Sequence, residues 1–558
     1  MNQTESSADA ARSAQQPVLT IDKLSVALVG EHGPGRPVVK SLSFDVKAGE
    51  TVCIVGESGS GKSVTSLAVM GLLPKDSLTP TGGRILLEGE NLLEASQRRL
   101  RDLRTTGMAM VFQEPMTALN PVQRVGEQVD EVLRLHTKLG REERRKRVIA
   151  MLESVHLPDV ERIYRSYPHE LSGGQRQRIV IAMALILKPR LLIADEPTTA
   201  LDVTTQKQIL ALIKELQTEQ GTAVIFITHD FGVVAEIADR IVVMNQGSVV
   251  ETGTRDEILA HPKQDYTRML VSSVPSLIPH HRTQPTGETV LTVKALTKYY
   301  GSSKSWFGGA TASGTPAAQD VDLILRRGEV VGVVGESGSG KSTVARCVMR
   351  LIDPNSGEIN LNGTDIATMG RGALMPMRKR IQIVFQDPYR SLNPRRRVGE
   401  SIIEGLLNYN VSRAEAESKA RHALKTVGLP EDVYDRYPHQ FSGGQRQRIC
   451  IARALVMEPD VLVADEAVSA LDVSVQAQVL ALLDEVRERV GVGVLFITHD
   501  LRVAAQICDT IIVMQRGRIV EQGTAVEVLT KPRESYTRAL IEAAPGRHWD
   551  FQHFRAVA

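Results

Sequence analysis

The octapeptide GESGSGKS stands at residues 56–63 and again, letter for letter, at residues 335–342. Its glycines let successive backbone N–H groups converge on one point without interference from Cβ atoms. The helix that follows aims its positive end at the same point. A loop of this kind is suited to hold phosphate. Gly56, Ser58, Gly59 and Gly61 would form the cradle in the first copy, and Gly335, Ser337, Gly338 and Gly340 in the second. Lys62 and Lys341 would neutralise the terminal phosphates. The hydroxyls of Ser63 and Ser342 would take a place on Mg²⁺, with Thr343 completing the second loop. A Gly/Ser turn that merely precedes a helix is the bland alternative. The apolar strand before, the helical spacing after and the identical second copy all weigh against it.

Two further groups of residues could act on a phosphate. The runs LLIADEP and VLVADEA end apolar strands in paired acids. Asp195 and Asp465 would position the metal, and Glu196 and Glu466, one residue on, point elsewhere and could accept a proton from an attacking water. His229 and His499 end another apolar run, FITHD, where a side chain can meet a terminal phosphate. Finally, Ser172, Gly173, Gly174 and Gln175, and their counterparts Ser442, Gly443, Gly444 and Gln445, open an amphipathic stretch. Each copy therefore owns a second helix start with exposed N–H donors.

Taken together, these residues resemble the ATP-binding cassette (ABC) family. LSGGQRQR (171–178) and FSGGQRQR (441–448) are similar to its signature sequence. Gln113 and Gln386 match its glutamine loop, Asp202 and Asp472 in the two ALD runs its D-loop, and the THD runs its histidine switch. The resemblance covers nearly all of both copies. It implies two tandem P-loop NTPase domains of α/β class, each a RecA-like parallel-sheet core with an antiparallel β subdomain and an inserted helical subdomain. It also implies ATP hydrolysis with Mg²⁺, Gln113 and Gln386 lying beside the metal together with Ser63, Asp195, Ser342 and Asp465. In the family the domains pair head to tail, each ATP lying between one copy's phosphate loop and the other copy's SGGQ. On that reading the octapeptide occurs twice because two half-sites must be supplied. Both sites keep their glutamate and histidine, so two hydrolytic sites are expected. Tyr300 falls where the family places an aromatic under adenine, whereas the first copy has Leu28, so weaker base stacking is expected at the first site.

The elements that must carry these residues follow from the repeat. VFQEPMTALNP returns as VFQDPYRSLNP, and SGGQRQRI and FITHD return unchanged, in order and roughly 270–280 positions later, a period of whole-domain length that excludes a solenoid. Continuous apolar runs separated by helical patterns argue for a parallel sheet covered on both faces. The stretch between Gln113 and Lys188 reads as mainly helical, and residues 240–253 as a hairpin turning at Asn245–Gly247. The domain reading is a disordered N-terminus over 1–16 and a first ABC ATPase domain over 17–262. Residues 263–289 form an extension and linker, 290–532 the second domain, and 533–558 an extension and tail. The Gly/Ser/Ala-rich residues 301–318 read as a mobile loop.

Composition bounds the task. The 558 residues are 42% hydrophobic and 24% charged, and Lys plus Arg at 67 against Asp plus Glu at 65 leave a net charge of only +2. That balance gives nucleic acid no electrostatic hold over the chain as a whole. The four cysteines, Cys53, Cys347, Cys450 and Cys508, form no CxxC pair and read as small buried hydrophobes in a reducing compartment. No apolar run approaches the roughly 20 residues needed to span a bilayer, and no secretory leader is legible.

The wording of the motifs, together with QDYTRMLVSSVPSL (264–277) and RESYTRALIEAAP (533–545), resembles the dipeptide/oligopeptide importer subfamily. That resemblance implies a peripheral subunit on the cytoplasmic face of the bacterial inner membrane, working with two membrane permeases and a solute-binding protein. The cargo would be a di- or oligopeptide or a related solute such as glutathione. Some relatives hold an iron–sulfur cluster on four cysteines after the first extension. No cysteine lies between Cys53 and Cys347, so no cluster is expected. Tandem cassettes also serve as soluble translation or repair factors, but those resemble designs with a long charged helical linker or with zinc-ligand clusters. Neither is found in this sequence.

Overall fold

Five-residue strands that are buried throughout need cover on both faces, and the structure, a computed structural model, supplies it. It describes residues 17–30, 33–113, 118–199, 201–280, 282, 286–300, 316–469 and 471–557. The expected disordered N-terminus, and the expected mobile loop from residue 301 to 315, lie outside the described residues. Pro316 to Ala318, read as the end of that loop, instead open the strand Pro316–Arg326, where they pair with the strand Thr289–Tyr299. Ala318 is buried on its inner face.

The chain divides into two compact units. One comprises Met1–Leu201, Thr205–Val274 and His548–Ala558, the other Asp202–Thr204 and Pro275–Arg547. In the first unit a six-stranded sheet runs in the order Met108–Val111, Leu191–Asp195, Ala223–Ile227, Thr51–Val55, Arg240–Asn245, Ser248–Thr254. Five strands are parallel and the last returns antiparallel, closing the expected hairpin through Gln246 and Gly247. A separate antiparallel sheet is built from Pro17–Gly30, Gly33–Lys47, Leu78–Leu87 and Glu90–Asn91.

Between the parallel strands Met108–Val111 and Leu191–Asp195 the chain is helical, in the segments Val125–His136, Arg141–Ser154, Val160–Arg165 and Gly173–Leu185. The second unit repeats the plan. Its parallel order is Ile381–Val384, Val461–Asp465, Gly493–Ile497, Val330–Val334, Thr510–Gln515, with Arg518–Thr524 antiparallel at the edge.

The strands Thr51–Val55, Leu191–Asp195 and Ala223–Ile227 are buried at every position, as are their counterparts Val330–Val334, Val461–Asp465 and Gly493–Ile497. Parallel strands joined by covering helices read as unbroken apolar runs for this reason. All four cysteines are free and buried in the two cores. Burial pushes the Cys347 thiol up to about 11 and that of Cys450 up to about 12, so they pack as apolar groups and are poor nucleophiles.

The stretch after the first extension is docked on the second unit. Leu277 packs against its core, Gln506 donates to the Ser276 carbonyl at 3.1 Å, and Arg282 makes a bidentate pair with Asp484 at 2.7 and 3.0 Å. Among the described residues no helix is long and apolar enough to cross a membrane.

Candidate functional site

Three parallel strands deliver chemistry to one edge of each sheet. Thr51–Val55 ends at Gly56, Leu191–Asp195 ends in its acid, and Ala223–Ile227 ends two residues before His229. In a parallel sheet these carboxyl ends lie together, which is where such folds place their ligands. Two strand ends cannot continue straight. Gly56 sits at φ +149°, and a Cβ there would stand 2.1 Å from the Met244 carbonyl oxygen. Gly335 repeats this, 2.3 Å from Met514. Only glycine lets the chain leave the sheet at that point.

In the first unit Lys62 opens the helix Lys62–Val69 and is almost wholly buried. Its Nζ donates to the carbonyls of Gly56 at 2.7 Å and Glu57 at 2.9 Å, so the ammonium lies folded back over its own loop. The Ser63 hydroxyl donates to Asp195 Oδ1 at 3.3 Å. Both oxygens of Glu196 are engaged: Oε2 accepts from Gln113 Nε2 at 2.8 Å and from the Thr199 hydroxyl at 3.0 Å, and Oε1 lies 3.0 Å from His229 Nδ1.

The second unit repeats most of these bonds, but the Ser469 hydroxyl donates to the Glu466 backbone carbonyl at 3.0 Å where Thr199 donates to the carboxylate. Lys341 donates to Gly335 and Glu336, Ser342 to Asp465, and Gln386 to Glu466 at 2.8 Å, with His499 Nδ1 3.4 Å from that carboxylate. The structure thus brings together Lys62, Ser63, Gln113, Asp195, Glu196 and His229, and their six counterparts. Thr199 and Ser469, which bond to the same network, were not singled out by sequence reasoning. Their signal is positional: a hydroxyl three residues after each glutamate.

The two adjacent acids are driven apart. Burial, reinforced by the neighbouring Glu196 charge, raises the Asp195 carboxyl above the usual range, against the Ser63 hydrogen bond. For Glu196 burial also pushes upward, but the hydrogen bond and charge of His229, with Thr199 and Lys62 behind them, hold it below its ordinary value. Asp465 and Glu466 split in the same directions. His499 is pulled down by burial yet ends raised, because Glu466 and Asp500 favour its charged form. Burial lowers Lys341. Glu196 and Glu466 also hold left-handed backbone, φ +47° and +50°. For a non-glycine residue that costs roughly 1–3 kcal/mol and is retained where surrounding structure enforces it.

An oxygen-seeking divalent cation fits this arrangement. Mg²⁺ is held by one or two protein oxygens together with substrate phosphates, not by an all-protein cage. The Ser63 hydroxyl and the Asp195 carboxylate are such donors, and a cation beside them would relieve the burial that raises the acid. Among the described residues no cluster of three or more His, Cys, Asp or Glu could hold a metal without that help.

The remaining expected residues stand on other elements. Ser172 caps the helix Gly173–Leu185: its Oγ accepts from Gln175 N at 3.3 Å while Gln175 Oε1 accepts from Ser172 N at 3.0 Å. Ser442 and Gln445 form the same reciprocal cap on Gly443–Leu455. Gly174 and Gly444 are needed for packing, since a Cβ would stand 2.5 Å from Thr205 and 2.1 Å from Val475. Asp472 occupies the N-cap position of the helix Val473–Val490, and Asp202 immediately precedes Val203–Gln220. Tyr300 is exposed just past the strand Thr289–Tyr299, and Leu28 is exposed within Pro17–Gly30.

One contact joins the site to an element that carries none of the expected residues. The hydroxyl of Tyr266, on the helix Asp265–Ser272, accepts from the Glu57 N–H at 3.4 Å, and Tyr536 does the same for Glu336 at 3.2 Å.

The chain is similar to known proteins over most of its length. The family described as ABC transporter matches residues 39–199 and 318–469, and the oligopeptide/dipeptide transporter C-terminal region matches 250–300 and 520–552. The chain is 45% identical over 531 residues to the peptidoglycan transport ATP-binding protein YejF of Agrobacterium fabrum, covering 95% of this chain and 96% of that protein. It is 46% identical over 560 residues to the glutathione import ATP-binding protein GsiA of Escherichia coli O157:H7, covering 95% and 89%. Among solved structures, cbiO1 of Clostridium perfringens is 32% identical over 44% of this chain and 92% of its own, with a TM-score of 0.38. The chain belongs to the ABC transporter family: it is an ATPase with two ATP-binding cassettes in one polypeptide, each followed by an oligopeptide/dipeptide transporter C-terminal region.

Proposed function

We propose that this chain energises the import of a small peptide-like solute, a di- or oligopeptide or a compound such as glutathione, through two membrane permeases fed by a solute-binding protein. The observation that carries this reading is the transporter C-terminal region after both cassettes, not one. Relatives named for peptidoglycan transport and glutathione import, matched over nearly their whole length, support it. The chain would sit peripherally on the cytoplasmic face of the membrane. We place the cassettes at 17–262 and 290–532, with extensions at 263–289 and 533–558.

The hydrogen bonds suggest how each site works. Lys62 and Lys341 lie on carbonyls of their own loops and would exchange those bonds for phosphate oxygens when ATP enters. The loop N–H groups of Gly59, Gly61, Gly338 and Gly340 would cradle the phosphates, with the hydroxyls of Ser58, Ser337 and Thr343 beside them. Ser63 with Asp195, and Ser342 with Asp465, would hold Mg²⁺, assisted by Gln113 and Gln386. The cation supplies charge neutralisation on the phosphates. Glu196 and Glu466 are ionised but fully engaged. Gln113 and Gln386 must release them before either can take a proton from water. His229 and His499 hold each glutamate from the other side and can pass to the terminal phosphate. We further propose that each nucleotide is completed by the Ser172–Gln175 or Ser442–Gln445 helix start of the other cassette. Binding then favours the closed pair and hydrolysis releases it, the difference in affinity that drives a partner between two shapes.

Affinity purification of the full chain from detergent-solubilised membranes of its own organism tests the assignment. Two integral membrane proteins should accompany it in stoichiometric amounts. Recovery with ribosomes and without membrane proteins would overturn it.

A further inference from the structure

The helix Asp265–Ser272 and its counterpart Ser535–Ala543 lie beyond the cassette motifs, yet each is fixed firmly. Glu251, on the edge strand Ser248–Thr254, accepts from the backbone N–H groups of Lys263 at 2.8 Å and Gln264 at 3.1 Å, tying down the helix start. Glu521 does the same for Arg533 and Glu534, at 2.8 and 3.2 Å. Thr267 and Thr537 are buried beneath the first turn. Held this way, each helix presents one tyrosine to the phosphate loop of its own unit. The residue it meets, Glu57 or Glu336, is the first after the glycine that turns the chain out of the sheet.

The two polar ends of that residue are bound by different groups. Its N–H goes to the tyrosine hydroxyl, and its carbonyl accepts from the buried lysine, at 2.9 Å in the first unit and 2.8 Å in the second. A lysine that turns toward phosphate abandons the carbonyl. The carbonyl still accepts from the Ser60 N–H at 3.1 Å, or the Ser339 N–H at 3.2 Å, within the same loop, and the tyrosine bond remains as a tie from the loop to the extension helix. In the second unit burial pushes the Tyr536 phenol up to about 12. The same bond to the same N–H recurs in both units, on a Tyr-Thr-Arg segment common to the two extension helices.

We propose that Tyr266 and Tyr536 are positioning residues for the two phosphate loops, making each C-terminal extension helix a working part of the nucleotide site. The proposal rests on reading these loops as ATP sites, a reading tested separately by Lys62→Ala with Lys341→Ala, which should abolish ATP binding. Coupling of this kind is reciprocal: whatever displaces the extension helix weakens ATP binding, and ATP binding stiffens the helix.

The double variant Tyr266→Phe with Tyr536→Phe keeps both rings and removes only the hydroxyls. In the full chain with Mg²⁺, the KM for ATP should rise about fivefold, the loss of one partly buried hydrogen bond per site, while kcat at saturating ATP stays unchanged. Hydrogen–deuterium exchange without nucleotide should quicken in the peptides covering the two GESGSGKS loops, with the melting temperature unaltered. A Tyr266→Leu with Tyr536→Leu control reports what ring packing contributes. Wild-type KM and loop exchange in the phenylalanine variant, with losses in the leucine variant alone, would reduce the tyrosines to packing and overturn the proposal.

Discussion

Asp195 and Glu196 are neighbours in sequence and opposites in environment. One is raised by burial and turned toward Ser63; the other is held ionised, against its burial, by His229 and Thr199, and accepts a further hydrogen bond from Gln113. Adjacent carboxyls with diverging affinities for a proton can divide two tasks, metal holding and proton acceptance. The left-handed backbone at Glu196 aims the two side chains apart. Replacing Glu196 and Glu466 together by glutamine keeps the shape and the hydrogen bond to histidine but removes the proton acceptor. Steady-state phosphate release should fall by about 10²–10⁴, the range typical of a lost general base, while ATP still binds stoichiometrically. Retention of more than a tenth of the wild-type rate would mean that another group takes the proton.

The strands deliver these side chains, and the helical insert carries the SGGQ helix start at a distance from them. Within the insert two helices cross closely because one of them has a glycine at the contact. A Cβ at Gly126, in Val125–His136, would stand 2.3 Å from the ring of Tyr164, and one at Gly399 equally close to Tyr434. Gly126→Ala should therefore force the crossing apart and destabilise the insert by about 1–3 kcal/mol, the usual cost of overpacking. Limited proteolysis would detect this as faster cleavage between residues 125 and 165 than elsewhere. Adding Tyr164→Leu to Gly126→Ala should restore protection, because it removes the ring that the new methyl meets. Protection unchanged in Gly126→Ala alone would mean that the contact yields without cost.

For the molecule as a whole, two complete sets of site residues in one chain make a specific demand on how the proposed sites are shared. If each SGGQ helix start completes the site of the other cassette, Ser172→Ala should impair nucleotide trapping at the site built on Lys341 and spare the one built on Lys62. The substitution also removes a helix cap, which costs about 0.5–2 kcal/mol locally. Melting measured in parallel separates that contribution from the effect on trapping. Trapping lost at the Lys62 site instead would contradict the proposed sharing.

Much of this protein was legible before any coordinates. Glycine spacing around Lys62 and Lys341, acids closing apolar runs and the repeat of the motifs indicated the fold class and most of the residues proposed for the site, because backbone geometry and burial impose those residue types locally. The docking of residues 275–280 and 282 on the second unit was not legible, since a segment with two prolines and no periodicity looks the same whether solvated or bound. Nor could sequence reveal that Glu196 rests with both oxygens engaged, or that a tyrosine some 200 positions away meets the phosphate loop. Such contacts join residues distant in sequence, and no local pattern encodes them. They depend on where the sheet edge brings its strands and on which helix packs beside it, and the tertiary structure alone decides that.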